Sequence, residues 1–87
     1  MKIWKFPFSI ADEFSLELPE GADILHTGLD PDGGPCLWAA VNPGNAKEQR
    51  KFRIYGTGHP INLPYHRLSH LGTMVAGDFV WHVFEYR

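Results

Sequence analysis

The run Arg50-Lys51-Phe52-Arg53-Ile54-Tyr55-Gly56-Thr57-Gly58-His59-Pro60 holds the residues best suited to chemistry with an anion. Period-two alternation puts Phe52 and Ile54 on one face of a strand, and Lys51, Arg53 and Tyr55 on the other, with Arg50 at its start. Guanidinium forks match phosphate and carboxylate oxygens, and a tyrosine stacks on a base or donates its hydroxyl. The Gly56-Thr57-Gly58 turn could aim backbone N–H groups at an anion, with the Thr57 hydroxyl and His59 nearby. As a ligand site, Arg50, Lys51, Arg53, Thr57 and His59 would contact phosphates while Tyr55 stacks. The same charges also suit an ordinary solvated strand. The segment is neither a Walker loop nor a dinucleotide fingerprint.

Other reactive side chains form no constellation. His66 and His70 are four apart and would share a helix face. Zinc would need further ligands, and Cys36, His59, Asp30 and Asp32 lie at no diagnostic spacing. No metal and no cofactor is therefore expected. Cys36 sits in an apolar run, where a thiol is usually an inert core group. Ser9, Ser15 and Ser69 have no nucleophile-elbow context. His82, between Trp81 and Val83, reads as a hydrogen-bonded core or interface residue. No catalytic residue is assigned, and a small hydrolase stands only as an alternative.

The elements that must position these residues read as strands. Trp4, Phe6 and Phe8 alternate with Ile3, Lys5 and Pro7, and Pro7 makes this first strand an edge or ends it early. Phe14, Leu16 and Leu18 alternate with Ser15 and Glu17 in a second, reached through a hairpin-like connection over Ser9 to Glu13. Ile24–Leu29 and Cys36–Val41 are expected to form a central hairpin around the Asp30–Pro35 turn, where Pro, Asp and Gly favour reversal. Asn42–Asn45 is a turn, and Ala46–Gln49 adds a helical turn or extends the loop. Gly56 to His70 is irregular, with one helical turn allowed at Tyr65–Ser69, and a connection of that length is often functional. Leu71–Val75 is a short strand, and Ala76–Asp78 a turn.

The last strand, Phe79–Tyr86, is apolar on both sides. Phe79, Trp81 and Val83 fall on one face, and Val80, Phe84 and Tyr86 on the other. Such a strand is either central in a covered sheet or part of a subunit interface. Phe79, Trp81, Val83, Phe84 and Tyr86 are the candidate interface residues. With 87 residues the chain buries only about 60–65% of its unfolded surface, so the core is thin. One cysteine excludes an internal disulfide, leaving dense aromatic packing or oligomerisation to compensate, and a homo-oligomer is expected. The net charge of −2 argues against a nucleic-acid binder. No apolar run is long enough for a membrane span, and the N-terminus does not read as a signal peptide. Single-cysteine usage fits a reducing cytoplasm.

The fold expected is a single all-β domain over residues 1–87, or nearly so. It has six to seven short strands in a small twisted antiparallel sheet or sandwich, with at most one or two helical turns.

Several segments also resemble an uncharacterised family of short phage and prophage proteins, a domain of unknown function. They are Ile3-Trp4-Lys5-Phe6-Pro7, Gly21-Ala22-x-Ile24-Leu25-His26, Cys36-Leu37-Trp38-Ala39, Arg50–Ile61 and Phe79–Glu85, which together cover nearly the full length. The resemblance implies a phage-associated origin and expression in the bacterial cytoplasm. It brings no activity and no site residues. The expected function is then a non-enzymatic accessory binding protein in host takeover or counter-defence, blocking a host bacterial protein. The alternatives are a sponge for a small nucleotide-like anion at Arg50–His59, and a minor virion or assembly component.

Overall fold

The computed structural model describes residues 1–87 and is all β apart from one 3-10 turn at Tyr65–Arg67. Seven strands run as β1 (Lys2–Pro7), β2 (Glu13–Pro19), β3 (Asp23–Leu29), β4 (Pro35–Val41), β5 (Lys47–Gly56), β6 (Leu68–Ala76) and β7 (Phe79–Tyr86). They form two antiparallel sheets, one ordered β1-β4-β3 and the other β2-β5-β7-β6. No helix is long and apolar enough to cross a membrane.

The apolar side of each alternating strand turns towards the other sheet. Leu37, Ala39 and Val41 of β4 meet Leu18 of β2 and Phe52 of β5 in one cluster, with Trp4, Phe6, Phe14 and Leu16 packed around it. Ile54, Met74 and Val83 form a second cluster. Aromatic rings fill much of the space between the sheets. Phe8 stacks on Phe14 at 4.4 Å between centroids, and Phe14 on Phe52 at 5.1 Å. Large rings remove much apolar area per residue, which suits a chain with so thin a core.

The Ser9–Glu13 connection departs from the expected hairpin. β1 pairs with β4 and β2 pairs with β5, so the segment carries the chain from one sheet to the other. Alternation identifies both strands but is silent on their partners, and the Phe8–Phe14 stack spans the gap instead of a ladder. Ala46–Gln49 also differs. Its last three residues begin β5, with Lys47, Glu48 and Gln49 opposite Pro19, Leu18 and Glu17. The β3–β4 hairpin forms around Asp30–Pro35 as read, with β4 central in its sheet and β3 at the edge.

At the other rim β3 lies against β6. Thr27 is fully buried there, donating its hydroxyl to the Cys36 carbonyl at 3.0 Å. A Cβ on Gly72 would lie 2.7 Å from Thr27 Cγ2, so only glycine lets these strands approach. The β3–β4 turn is held by Asp30, whose Oδ1 accepts from the backbone N–H of Asp32 (2.9 Å) and Gly34 (2.8 Å). Lys5 Nζ donates to Oδ2 at 3.1 Å, tying edge strand β1 to the turn. The Gly34 N–H first, and Lys5 next, hold the Asp30 carboxyl below the usual carboxylate range.

Gly72→Ala should destabilise the fold by about 1–3 kcal/mol through overpacking. Thr27→Ser, which removes the clashing methyl, should recover part of that loss in the double variant. Urea denaturation of the four-member cycle reads the coupling, and strictly additive losses would refute the contact. Asp30 stabilises the fold above the carboxyl's unfolded pKa, and that contribution disappears as pH falls through the lower folded value. The melting-temperature gap between wild type and Asp30→Asn should therefore be widest near neutral pH and narrow in acid. A gap that does not vary with pH would contradict this.

Candidate functional site

Strand parity separates the Arg50–Tyr55 residues that the sequence groups together. Lys51, Arg53 and Tyr55 point outward from the four-stranded sheet, whereas Arg50 shares the inward side with Phe52 and Ile54. Arg50 is thus not part of the basic outer face. Its Nε and NH2 donate to the two carboxylate oxygens of Glu85 at 2.6 and 2.7 Å, and its NH1 donates to the Ala22 carbonyl at 2.5 Å. The fork with Glu85 raises the Arg50 pKa above its ordinary value. A buried charge needs such a partner, and this guanidinium has no donor turned towards a ligand on the outer face.

Strand β7 is central, and the chain covers both of its sides. Val83 is fully buried between the sheets. Phe84 faces the other way and is buried beneath Tyr55, Tyr65 and His70, whose rings lie 5.9, 6.4 and 5.1 Å from its own. Tyr55 comes from β5, His70 from β6 and Tyr65 from the Gly56–Arg67 connection. Tyr55 donates its hydroxyl to Asn62 Oδ1 at 2.9 Å, which holds the connection against the sheet. Of the five candidate interface residues, Val83 and Phe84 are therefore enclosed by their own chain. Trp81 is half-buried, and Phe79, 63% exposed, stacks on it at 5.6 Å.

Thr57 and His59 both line a cleft beside the Gly-Thr-Gly turn, and His59 also reaches a second cleft with Arg53 and Tyr55. The Thr57 hydroxyl bonds His82 Nε2 at 2.7 Å, and His82 Nδ1 bonds the Thr73 hydroxyl at 2.9 Å. Thr73 in turn meets His70 Nε2 at 3.3 Å. Both nitrogens of His82 are thereby engaged by hydroxyls. No carboxylate stands behind the ring to stabilise an imidazolium, so the arrangement clamps the loop and is not a nucleophile–base–acid triad. His59 packs beside Gly56, where a Cβ would meet its ring at 2.9 Å, and lines a cleft of about 250 Å³ with Phe79 and Trp81. His66 lies in the 3-10 turn and His70 in β6, so the two share no helix face. No three His, Cys, Asp or Glu side chains converge as a metal site would require.

The remaining residues of interest gather around Tyr86. A groove of about 450 Å³ runs between Glu13, Phe14, Ser15, Lys51, Phe52, Arg53 and Tyr86. The Arg53 guanidinium lies 5.9 Å from the centre of the Tyr86 ring and that of Arg67 4.8 Å, both within or near cation–π range. Arg67 also donates through Nε to the Arg87 carbonyl. Glu13 pairs with Arg53 at 2.9 Å but is itself 69% exposed. Sequence reading missed Tyr65, Arg67, Glu13 and Glu85. For Glu85 a signal exists: it is an acid with the parity of Trp81 and Val83 on an apolar strand, which calls for a buried cation.

A family model for a domain of unknown function, DUF7352, matches residues 1–87. The chain belongs to the DUF7352 family. That description assigns neither an activity nor a source. No curated protein and no solved structure matches the chain. In this DUF7352 domain the outer face of the four-stranded sheet, with its tyrosines and arginines, is therefore the candidate site, and Arg50 belongs to the framework behind it.

Arg50→Met should cost about 3 kcal/mol in urea denaturation, because it leaves the Glu85 carboxylate buried and unpaired. Adding Glu85→Gln should restore part of that loss. A change under about 1 kcal/mol, the size typical of a surface pair, would show that the pair does not join the strands as described.

Proposed function

We propose that this protein is a non-enzymatic binding protein that takes hold of a partner protein with the outer face of the four-stranded sheet. One observation carries the reading: Tyr55, Tyr65 and Tyr86 share that face with Arg53 and Arg67, the first two set edge-on against Phe84 and the arginines lying against the Tyr86 ring. Tyrosine and arginine dominate the energetics of protein interfaces, because each brings large contact area with a polar end. Tyr65 is 67% exposed although it rests on Phe84, so it is presented and pre-positioned at once. Pre-positioning reduces the ordering cost of association. The resemblance to short phage and prophage proteins supplies the setting, a bacterial cytoplasm in which a host protein is blocked during takeover or counter-defence.

A second reading keeps the same face but takes a small anionic, nucleotide-like ligand. The groove beside Lys51, Arg53 and Tyr86 favours it, since it is open and has two cations and a ring on its walls.

Affinity capture from bacterial lysate should recover a host protein with wild type and with Lys2→Glu, a change on the other sheet. Tyr65→Ala combined with Arg67→Ala should lose that protein while retaining the wild-type melting temperature to within a few degrees. Recovery of the same protein by the double variant would refute the face assignment.

A further inference from the structure

The groove beside Tyr86 has a charge pattern that its partner must match. The chain as a whole is acidic at −2, yet Lys51, Arg53 and Arg67 gather around one ring. Lys51 lies directly across from Tyr86, and Arg53 is two residues further along β5. These two cations are alternate residues on the outer side of one strand. They follow the strand repeat, about 6.6–6.8 Å for two residues. An extended peptide presents every second side chain at that same repeat. The floor of the groove between the cations is the β2–β5 ladder at Phe14 and Phe52, whose side chains turn into the core, so an extended backbone can lie along it between the two charges.

One carboxylate already lies in the groove. Glu13, from edge strand β2, sits opposite Arg53 and pairs with it at 2.9 Å. It is largely exposed and has no other hydrogen-bond or ion-pair partner, so an incoming carboxylate would displace it at small cost. Asp12 lines the adjoining cleft with Arg53, and adds to the local negative charge that any anion must overcome.

We propose that this groove docks an extended acidic segment of the partner protein, with carboxylates at alternate positions on Lys51 and Arg53. In the free protein Glu13 holds the Arg53 position as an internal stand-in for one of those carboxylates. This inference rests on the reading of the face as a protein-docking surface and names the chemistry of what docks there.

The test uses fluorescence anisotropy with two labelled peptides of equal composition, one alternating Glu-Ser and one repeating Glu-Glu-Ser-Ser, in which no two glutamates are two residues apart. The alternating peptide should bind wild type more tightly, and binding should weaken as salt rises. Glu13→Gln should tighten it about two- to five-fold, the range set by loss of a competing exposed ion pair. Arg53→Gln should abolish the preference for alternation, and Arg53→Lys, which keeps the charge, should retain it. Melting curves confirm that each variant is folded. Equal affinity for the two peptides, or no gain from Glu13→Gln, overturns the proposal. So does binding of a nucleoside triphosphate in place of the peptides, which would favour the small-anion reading. Host-protein capture that depends on Tyr65, without preference for the alternating peptide, would overturn this inference alone. Loss of both would remove the docking face altogether.

Discussion

The largely enclosed ion pair between Arg50 and Glu85 is the constraint on which the rest of the structure depends. Two charges facing an apolar interior are tolerated only with close partners, and Arg50 finds three acceptor oxygens. Two belong to Glu85 on β7, and the third is the Ala22 carbonyl between β2 and β3. One side chain thus joins the two central strands of the larger sheet to the point where the chain leaves it for the smaller one. Any one-residue slip of β5 against β7 would turn Arg50 outward and leave Glu85 unpaired, so the pair also selects the register.

That inward commitment shapes the outer face. With Arg50 removed from it, the cations left on β5 are Lys51 and Arg53, set at the strand repeat and separated from the core by the sheet itself. The face is not bare. The Gly56–Arg67 connection folds back over Phe84, Tyr65 rests on that ring, and Thr57 is bound to His82. Together with Tyr55 of β5 and His70 of β6, the connection buries Phe84 on the outer side of β7 within one chain. The long irregular segment is a cover whose upper surface is polar and aromatic, and that surface is where a partner would meet it.

Much of this was legible beforehand. All seven strands announce themselves by alternation or apolar runs between glycine- and proline-rich turns. The inward assignment of Phe52 and Ile54 and the outward one of Lys51, Arg53 and Tyr55 follow from parity alone. Parity also places Arg50 inward, and grouping it with its basic neighbours set charge above position. Thr57 and His59 line one cleft as their spacing in a tight turn allows, but the bond of Thr57 to His82 joins residues far apart in sequence and could not be read from it. Tyr65, Arg67 and Glu13 could not be read as parts of one site, since they come from three elements distant in sequence.

Local pattern determined that this chain is a small all-β domain, where most of its turns lie and which side of the alternating strands faces inward. Those properties depend on neighbours one or two residues apart, and the spacing of apolar, polar and turn-forming residues records them directly. Only the tertiary structure decided that β1 and β2 enter different sheets, that Phe84 of β7 is covered by its own chain, and that Arg50 pairs with Glu85 and the Ala22 carbonyl. Strand pairing and charge partnering are contacts across long sequence separations. Their energies depend on which surfaces and charges are brought together, and alternation along a single strand carries no record of that.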